Sequence, residues 1–142
     1  MKIAIGSDHG GYELKQEIIS LLEKMYHEIN DVGCYSTESV DYPGFADEVC
    51  EQIIQGDCAA GILVCGTGIG MSMAANRYRK IRAAVCHDEY TARMSREHND
   101  ANVLCIGARV LGLGVVEEMV RVWLETEFTA GRHQQRIQQF SE

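Results

Sequence analysis

Proline is almost missing from this chain: Pro43 is the only one in 142 residues. A proline-rich spacer between domains, or a polyproline ligand for a partner, is thereby excluded. Aromatic residues are sparse at 7%, with one tryptophan, and basic residues are outnumbered, 13 Lys and Arg against 21 Asp and Glu, for a net charge of -8. That surplus repels nucleic acid and anionic membrane, so neither is expected as a partner. Any anionic ligand has to be met by a local cluster of positive groups. No apolar run approaches the roughly 20 residues of a bilayer span, and the apolar part of MKIAIGSDHGG is too short for a secretion signal. A cytoplasmic protein is the expectation. None of the six cysteines (Cys34, Cys50, Cys58, Cys65, Cys86, Cys105) stands in a CxxC pair, and no Cys or His spacing matches a structural zinc site. Reduced thiols are expected, with no metal and no cofactor.

What is present is an alternation. KIAIGS (2–7), HEINDVG (27–33), AGILVCG (60–66), IRAAVCH (81–87) and ANVLCIG (101–107) read as short buried strands. Between them lie helical stretches: YELKQEIISLLEKM (12–25), with Leu14, Ile18, Leu21, Leu22 and Met25 at helical spacing; FADEVCEQIIQG (45–56); SMAANRYR (72–79), continuing a helix opened at the preceding glycines; DEYTARMSREHN (88–99); and VVEEMVRVWLETEF (115–128). One α/β domain over residues 1–142 follows: a three-layer α/β/α sandwich around a doubly wound, Rossmann-like parallel sheet of five strands, ending in a C-terminal helix. Ligands of such sheets lie beyond the carboxyl ends of the strands. That rule selects residues 7–11, 65–70, 87–89 and 107–109. His98, Asn99 and Asp100 close a helix and belong to the opposite edge.

The stretch LVCGTGIGMSMAAN (63–76) sets Cys65 against three glycines in five residues. It is neither GxGxxG nor a phosphate loop, since Met71 and Ser72 follow Gly70 where Lys and Ser/Thr would stand. A cysteine phosphatase would want an arginine six residues past the nucleophile, where Met71 stands. What remains is a turn whose small residues let backbone N–H groups converge, which attracts an anion and favours a thiolate. Asp8 and His9, after the first strand and before two glycines, form a hydrogen-bonding pair suited to a sugar hydroxyl or ring oxygen. Arg132 and Arg136 lie four residues apart on one helical face, where like charges repel unless an anion such as a phosphate monoester sits between them.

Taken in order, KIAIGSDHGG, DYPGFA, ILVCGTGIGMSMAAN, IRAAV, SREHNDANVL, GARVLG and GRHQQRI resemble the type B ribose-5-phosphate isomerases over nearly the whole chain. That family also includes relatives acting on allose 6-phosphate and the galactose-6-phosphate isomerase subunits. The resemblance implies an aldose–ketose isomerase of the pentose phosphate pathway, interconverting ribose 5-phosphate and ribulose 5-phosphate through an enediolate. It makes Cys65 the base between C1 and C2, His98 the acid that opens the sugar ring, and Thr67 an aid to proton transfer. It sends Asp8, His9, Tyr42 and Asn99 to the substrate, the amides of Gly66, Thr67, Gly68, Ile69 and Gly70 to the enediolate, and Arg109, Arg132 and Arg136 to the phosphate. It further implies a homodimer or tetramer with sites shared between subunits, which would bring His98 or the C-terminal arginines to the glycine loop. The alternatives are another sugar phosphate, such as allose 6-phosphate, or a sugar-phosphate-binding subunit without catalysis.

Overall fold

The computed structural model describes residues 1–141. Five strands, β1 (Lys2–Ser7), β2 (Glu28–Gly33), β3 (Ala60–Cys65), β4 (Ala83–Val85) and β5 (Val103–Gly107), pair in parallel in the order β2-β1-β3-β5-β4. Six helices connect and cover them: α1 (Tyr12–Lys24), α2 (Pro43–Ile54), α3 (Ile69–Ala75), α4 (Glu89–Glu97), α5 (Leu113–Glu125) and α6 (Arg132–Ile137). The expected doubly wound sheet is present, and all five strands lie within a few residues of the stretches that suggested them.

Side chains of the central strands alternate between two cores, as the period of two requires. Ile3, Ile5, Ile62, Val64, Leu104 and Ile106 face Ile18, Leu22, Met119 and Trp123 from α1 and α5. Ala4, Leu63, Cys65, Val103 and Cys105 face Val49, Cys50 and Met71 from α2 and α3. Continuous apolar runs result, because β1, β3 and β5 are covered on both faces. Full burial of one such Leu or Ile contributes about 1.5–3 kcal/mol. Cys65, the last residue of β3, is rooted in the second core at 6% exposure.

One strand departs from expectation for an identifiable reason. β4 is three residues rather than seven, because side chains take over its first backbone groups. Asn76 pairs with both the N–H and the C=O of Ala83, at 2.8 and 2.9 Å, and Asn102 Oδ1 accepts from the Arg82 N–H at 2.7 Å. α3 begins at Ile69, within the glycine stretch as expected, after Gly68 turns the chain at φ 81°. That left-handed conformation suits glycine.

Lys15 interrupts the apolar face of α1 and is wholly buried. Its Nζ donates to both carboxylate oxygens of Asp31 on β2, at 2.6 and 2.7 Å, and sits 5.5 Å from the rings of Tyr12 and of Tyr35. Asp31 also accepts from the Gly33 N–H, so one carboxylate ties α1 to the end of β2. Breaking such a pair leaves an uncompensated charge, so Lys15→Met should cost about 3 kcal/mol in urea unfolding. Adding Asp31→Leu should recover part of that loss, whereas a double variant less stable than Lys15→Met would refute the assignment.

Candidate active site

Because β1, β3 and β5 are neighbours, the loops after them meet at one carboxyl edge. β4 lies outside β5, so His87 is kept to the periphery, and Asp88 is spent closing a capping box with Thr91 at the start of α4. At the meeting point Cys65 Sγ accepts from the Gly68 N–H at 3.1 Å. An amide aimed at sulfur meets negative charge that develops there. Thr67 Oγ1 accepts from the Ile69 N–H at 3.2 Å, which fixes an exposed hydroxyl two residues from the thiol.

The strand pairing of β3 and β5 continues past their ends. The Ala108 N–H donates to the Cys65 carbonyl at 2.8 Å, and the Arg109 N–H to that of Gly66 at 3.0 Å. Arg109 therefore lies along the glycine loop: a methyl on Gly66 would sit 3.5 Å from its Cδ, and one on Gly10 would sit 3.6 Å from its Nη2. Asp8 Oδ1 caps the turn after β1 by accepting from the Gly11 N–H at 3.1 Å. His9 Nδ1 accepts from the Val40 N–H at 3.1 Å, so its neutral ring carries hydrogen on Nε2 and presents a donor. Tyr42 leans over Gly70 so closely that a methyl there would lie 2.6 Å from its Cζ. Asp8, His9, Tyr42, Gly66, Thr67, Gly68, Ile69, Gly70, Arg109 and Cys65 thus form one group.

His98, Asn99, Arg132 and Arg136 form another. His98 ends α4 and Asn99 follows it, both before β5 begins, whereas Arg109 follows its end. The five residues of β5 separate the two groups by on the order of 15 Å, at about 3.3 Å per residue. The His98 ring stacks on His133 of α6, with centroids 4.2 Å apart and planes 12° from parallel. The Thr129 N–H and hydroxyl both donate to the Glu97 carbonyl, holding the approach to α6 against the end of α4. A cleft of about 530 Å³ at this edge is lined by Asn99, Asn76, Tyr78, Ile81, Arg82 and Phe140, and by none of the glycine-loop residues. Two partners were missed in the sequence: the Val40 amide, 31 residues from His9, and His133. For His133 the only signal was its place between the arginines of GRHQQRI.

The remaining thiols are sorted by their surroundings. Burial, with Asp47 and Glu51 nearby, pushes Cys50 up to about 12. Burial likewise raises Cys58 and Cys86, and raises Cys105 well above the ordinary thiol range. These four are protonated at neutral pH. Among the described residues no three His, Cys, Asp or Glu side chains gather as a metal ion would require, and no helix is long and apolar enough to cross a membrane.

A doubly wound α/β domain with a thiol, a backbone amide aimed at it and an arginine at its strand ends suits a small anionic substrate. The family model of the ribose/galactose isomerases matches residues 3–140. The chain is 47% identical over 137 residues to ribose-5-phosphate isomerase B of Escherichia coli, covering 96% of this chain and 92% of that one. Its fold superimposes on Clostridium thermocellum ribose-5-phosphate isomerase B with a TM-score of 0.97 at 54% identity, covering 98% and 94% of the two chains. The Thermotoga maritima ribose 5-phosphate isomerase also gives 0.97, at 46% identity over 99% and 97%. The chain belongs to the ribose/galactose isomerase family, and it is an enzyme, a sugar-phosphate isomerase.

Glycine substitutions separate the scaffold of the first group from its contents. A methyl on Gly107 would meet the Thr67 carbonyl oxygen at 2.6 Å, backbone against backbone, whereas on Gly70 it meets only the Tyr42 side chain. Gly107→Ala should therefore lower the melting temperature and the activity together, and Gly70→Ala should lower activity with a melting temperature near that of the parent. Equal melting temperatures for the two variants would contradict this geometry.

Proposed function

We propose that the chain interconverts ribose 5-phosphate and ribulose 5-phosphate through an enediolate, at sites each built from two copies. The observation that carries the reading is the Gly68 N–H on Cys65 Sγ within the glycine loop. The names of the relatives supply the sugar. Moving a hydrogen between C2 and C1 needs a base for a weakly acidic C–H and donors already in place for the oxyanion that forms.

Ring opening comes first. His98 gives a proton to the ring oxygen as the bond from C1 breaks, and the C1 hydroxyl proton passes to the Asp8–His9 pair. The Cys65 thiolate then takes the C2 proton, and electrons move toward the C1 oxygen to give the enediolate. The amides of residues 66–70 meet that charge, and Thr67 assists as a proton moves between the two oxygens. Cys65 returns its proton to C1, and the ketose is formed. Arg132 and Arg136, with Arg109, hold the phosphate throughout. The separation of the two groups along β5 supports assigning His98, Asn99, Arg132 and Arg136 of a site to a second copy. A two-fold dimer supplies both such sites at once.

Purified protein should turn over ribose 5-phosphate in the presence of a chelator, and faster than allose 6-phosphate or galactose 6-phosphate tested beside it. Preference for a hexose phosphate would move the reading to that sugar. Cys65→Ala should slow turnover at least about 100-fold with the fold retained, since a general base is typically worth 10²-fold or more. A smaller loss would remove Cys65 as the base.

Arg136→Ala should weaken substrate use about 10-fold to 100-fold, mainly through KM, by loss of a charge-assisted contact. Co-refolding it with Cys65→Ala gives mixed dimers in which one site carries both lesions and the other neither. Random pairing then restores about a quarter of parental activity under two-fold symmetry. Activity no higher than the mean of the two variants would mean that each site is built from one chain.

A further inference from the structure

We infer that His133 is a positioning residue, whose ring face sets the orientation of the His98 imidazole for ring opening. The inference rests on the reading of His98 as the ring-opening acid. The His98 backbone is held, its N–H donating to the Met94 carbonyl at 2.9 Å, but no hydrogen bond among the described residues fixes its ring. Glu97 Oε1 is 3.9 Å from Nε2, beyond hydrogen-bond reach, and the side chain is 40% exposed. An imidazole so placed has a broad, two-fold choice of ring orientation. Among the described residues, the contact that defines its plane is the stack on His133, at 4.2 Å and 12°.

Holding an acid by its face differs chemically from holding it by its edge. A hydrogen bond would occupy one ring nitrogen, whereas a stack leaves both free, one to deliver the proton and the other to face solvent. His133 is suited to the task because it is itself anchored. It lies half-buried on α6, a helix pinned by Ile137 at 5% exposure, and its N–H donates to the Ala130 carbonyl at 3.2 Å. Burial, followed by the charges of His98, Arg132 and Arg136, holds His133 below the usual imidazole range against the opposing pull of Glu97. Two stacked rings cannot both carry charge without repulsion. Arg132 and Arg136 ride on the same short helix, so the stack also sets the acid at a constant offset from the groups that hold the phosphate.

The test compares ribose 5-phosphate with 4-deoxyribose 5-phosphate, which keeps the chain length and phosphate but has no O4 with which to close the ring. His98→Asn is the reference, expected to lose turnover on the first substrate and little on the second. Should it lose equally on both, the acid reading fails and the inference fails with it. Given the expected reference, His133→Ala should lower kcat on ribose 5-phosphate about 10-fold to 100-fold, the usual penalty of a misplaced group, with the ring-less substrate within about 2-fold. His133→Phe, which restores a flat face without a titratable nitrogen, should recover most of the loss. His133→Leu, of similar bulk but not flat, should not. Equal losses on the two substrates in His133→Ala, or equal recovery by Phe and Leu, would show that His133 serves only to pack α6. If His133→Ala fails to fold, the Phe and Leu variants decide the question alone.

Discussion

The site depends on how closely the backbones of β3 and β5 approach one another past their last paired residues. Cys65 lies opposite Gly107 in the sheet, and the pairing runs on through Ala108 to Cys65 and Arg109 to Gly66. Side chains would prevent this, since a Cβ on Gly107 would overlap the Thr67 carbonyl. Glycine is required there for space rather than for flexibility. Once the two backbones are in register, the remaining positions follow: the guanidinium of Arg109 passes over Gly66 and Gly10, the Gly68 amide turns back onto Cys65, and the loop leads directly into α3. A thiol at the end of a buried strand is thereby given one fixed donor, while burial keeps Cys50, Cys58, Cys86 and Cys105 protonated.

An acidic protein that handles a phosphate has to concentrate its positive charge, and this chain does so at both edges of its sheet. Arg109 stands with the thiol and the amides; Arg132 and Arg136 stand with two imidazoles. Under the proposed function a pentose phosphate is shorter than β5, and a second copy unites the two sets. The division places Cys65 and the glycine-loop amides at strand ends, and His98 with two arginines on a helix end and a short terminal helix. The second set is held by side-chain contacts rather than by the sheet: the Thr129–Glu97 bonds, the His98–His133 stack and the burial of Ile137.

Much of this was legible in the order of residues. Apolar runs of strand length alternating with helical spacing determine the number and sequence of elements, because the periods of two and 3.6 are local properties of the chain. The motifs around Cys65, Asp8 and His9 could be placed on loops after strands for the same reason, the spacing of Arg132 and Arg136 suggested a phosphate, and the roles of His98 and Asn99 came from resemblance. Strand order was not local. Four loops were eligible by the rule of carboxyl ends, and only the insertion of β5 between β3 and β4 chose three of them and left His87 aside. Lys15 sits where α1 should be apolar, and its partner Asp31 lies 16 residues away on a strand. His98 and His133 are 35 positions apart and meet only because α6 folds back onto the end of α4. Sequence alone determined which elements form and where the reactive groups lie along them, through backbone geometry and side-chain period. Which groups face one another was decided by tertiary packing, because contacts between distant residues form only where burying both apolar faces of the sheet outweighs the entropy of bringing them together.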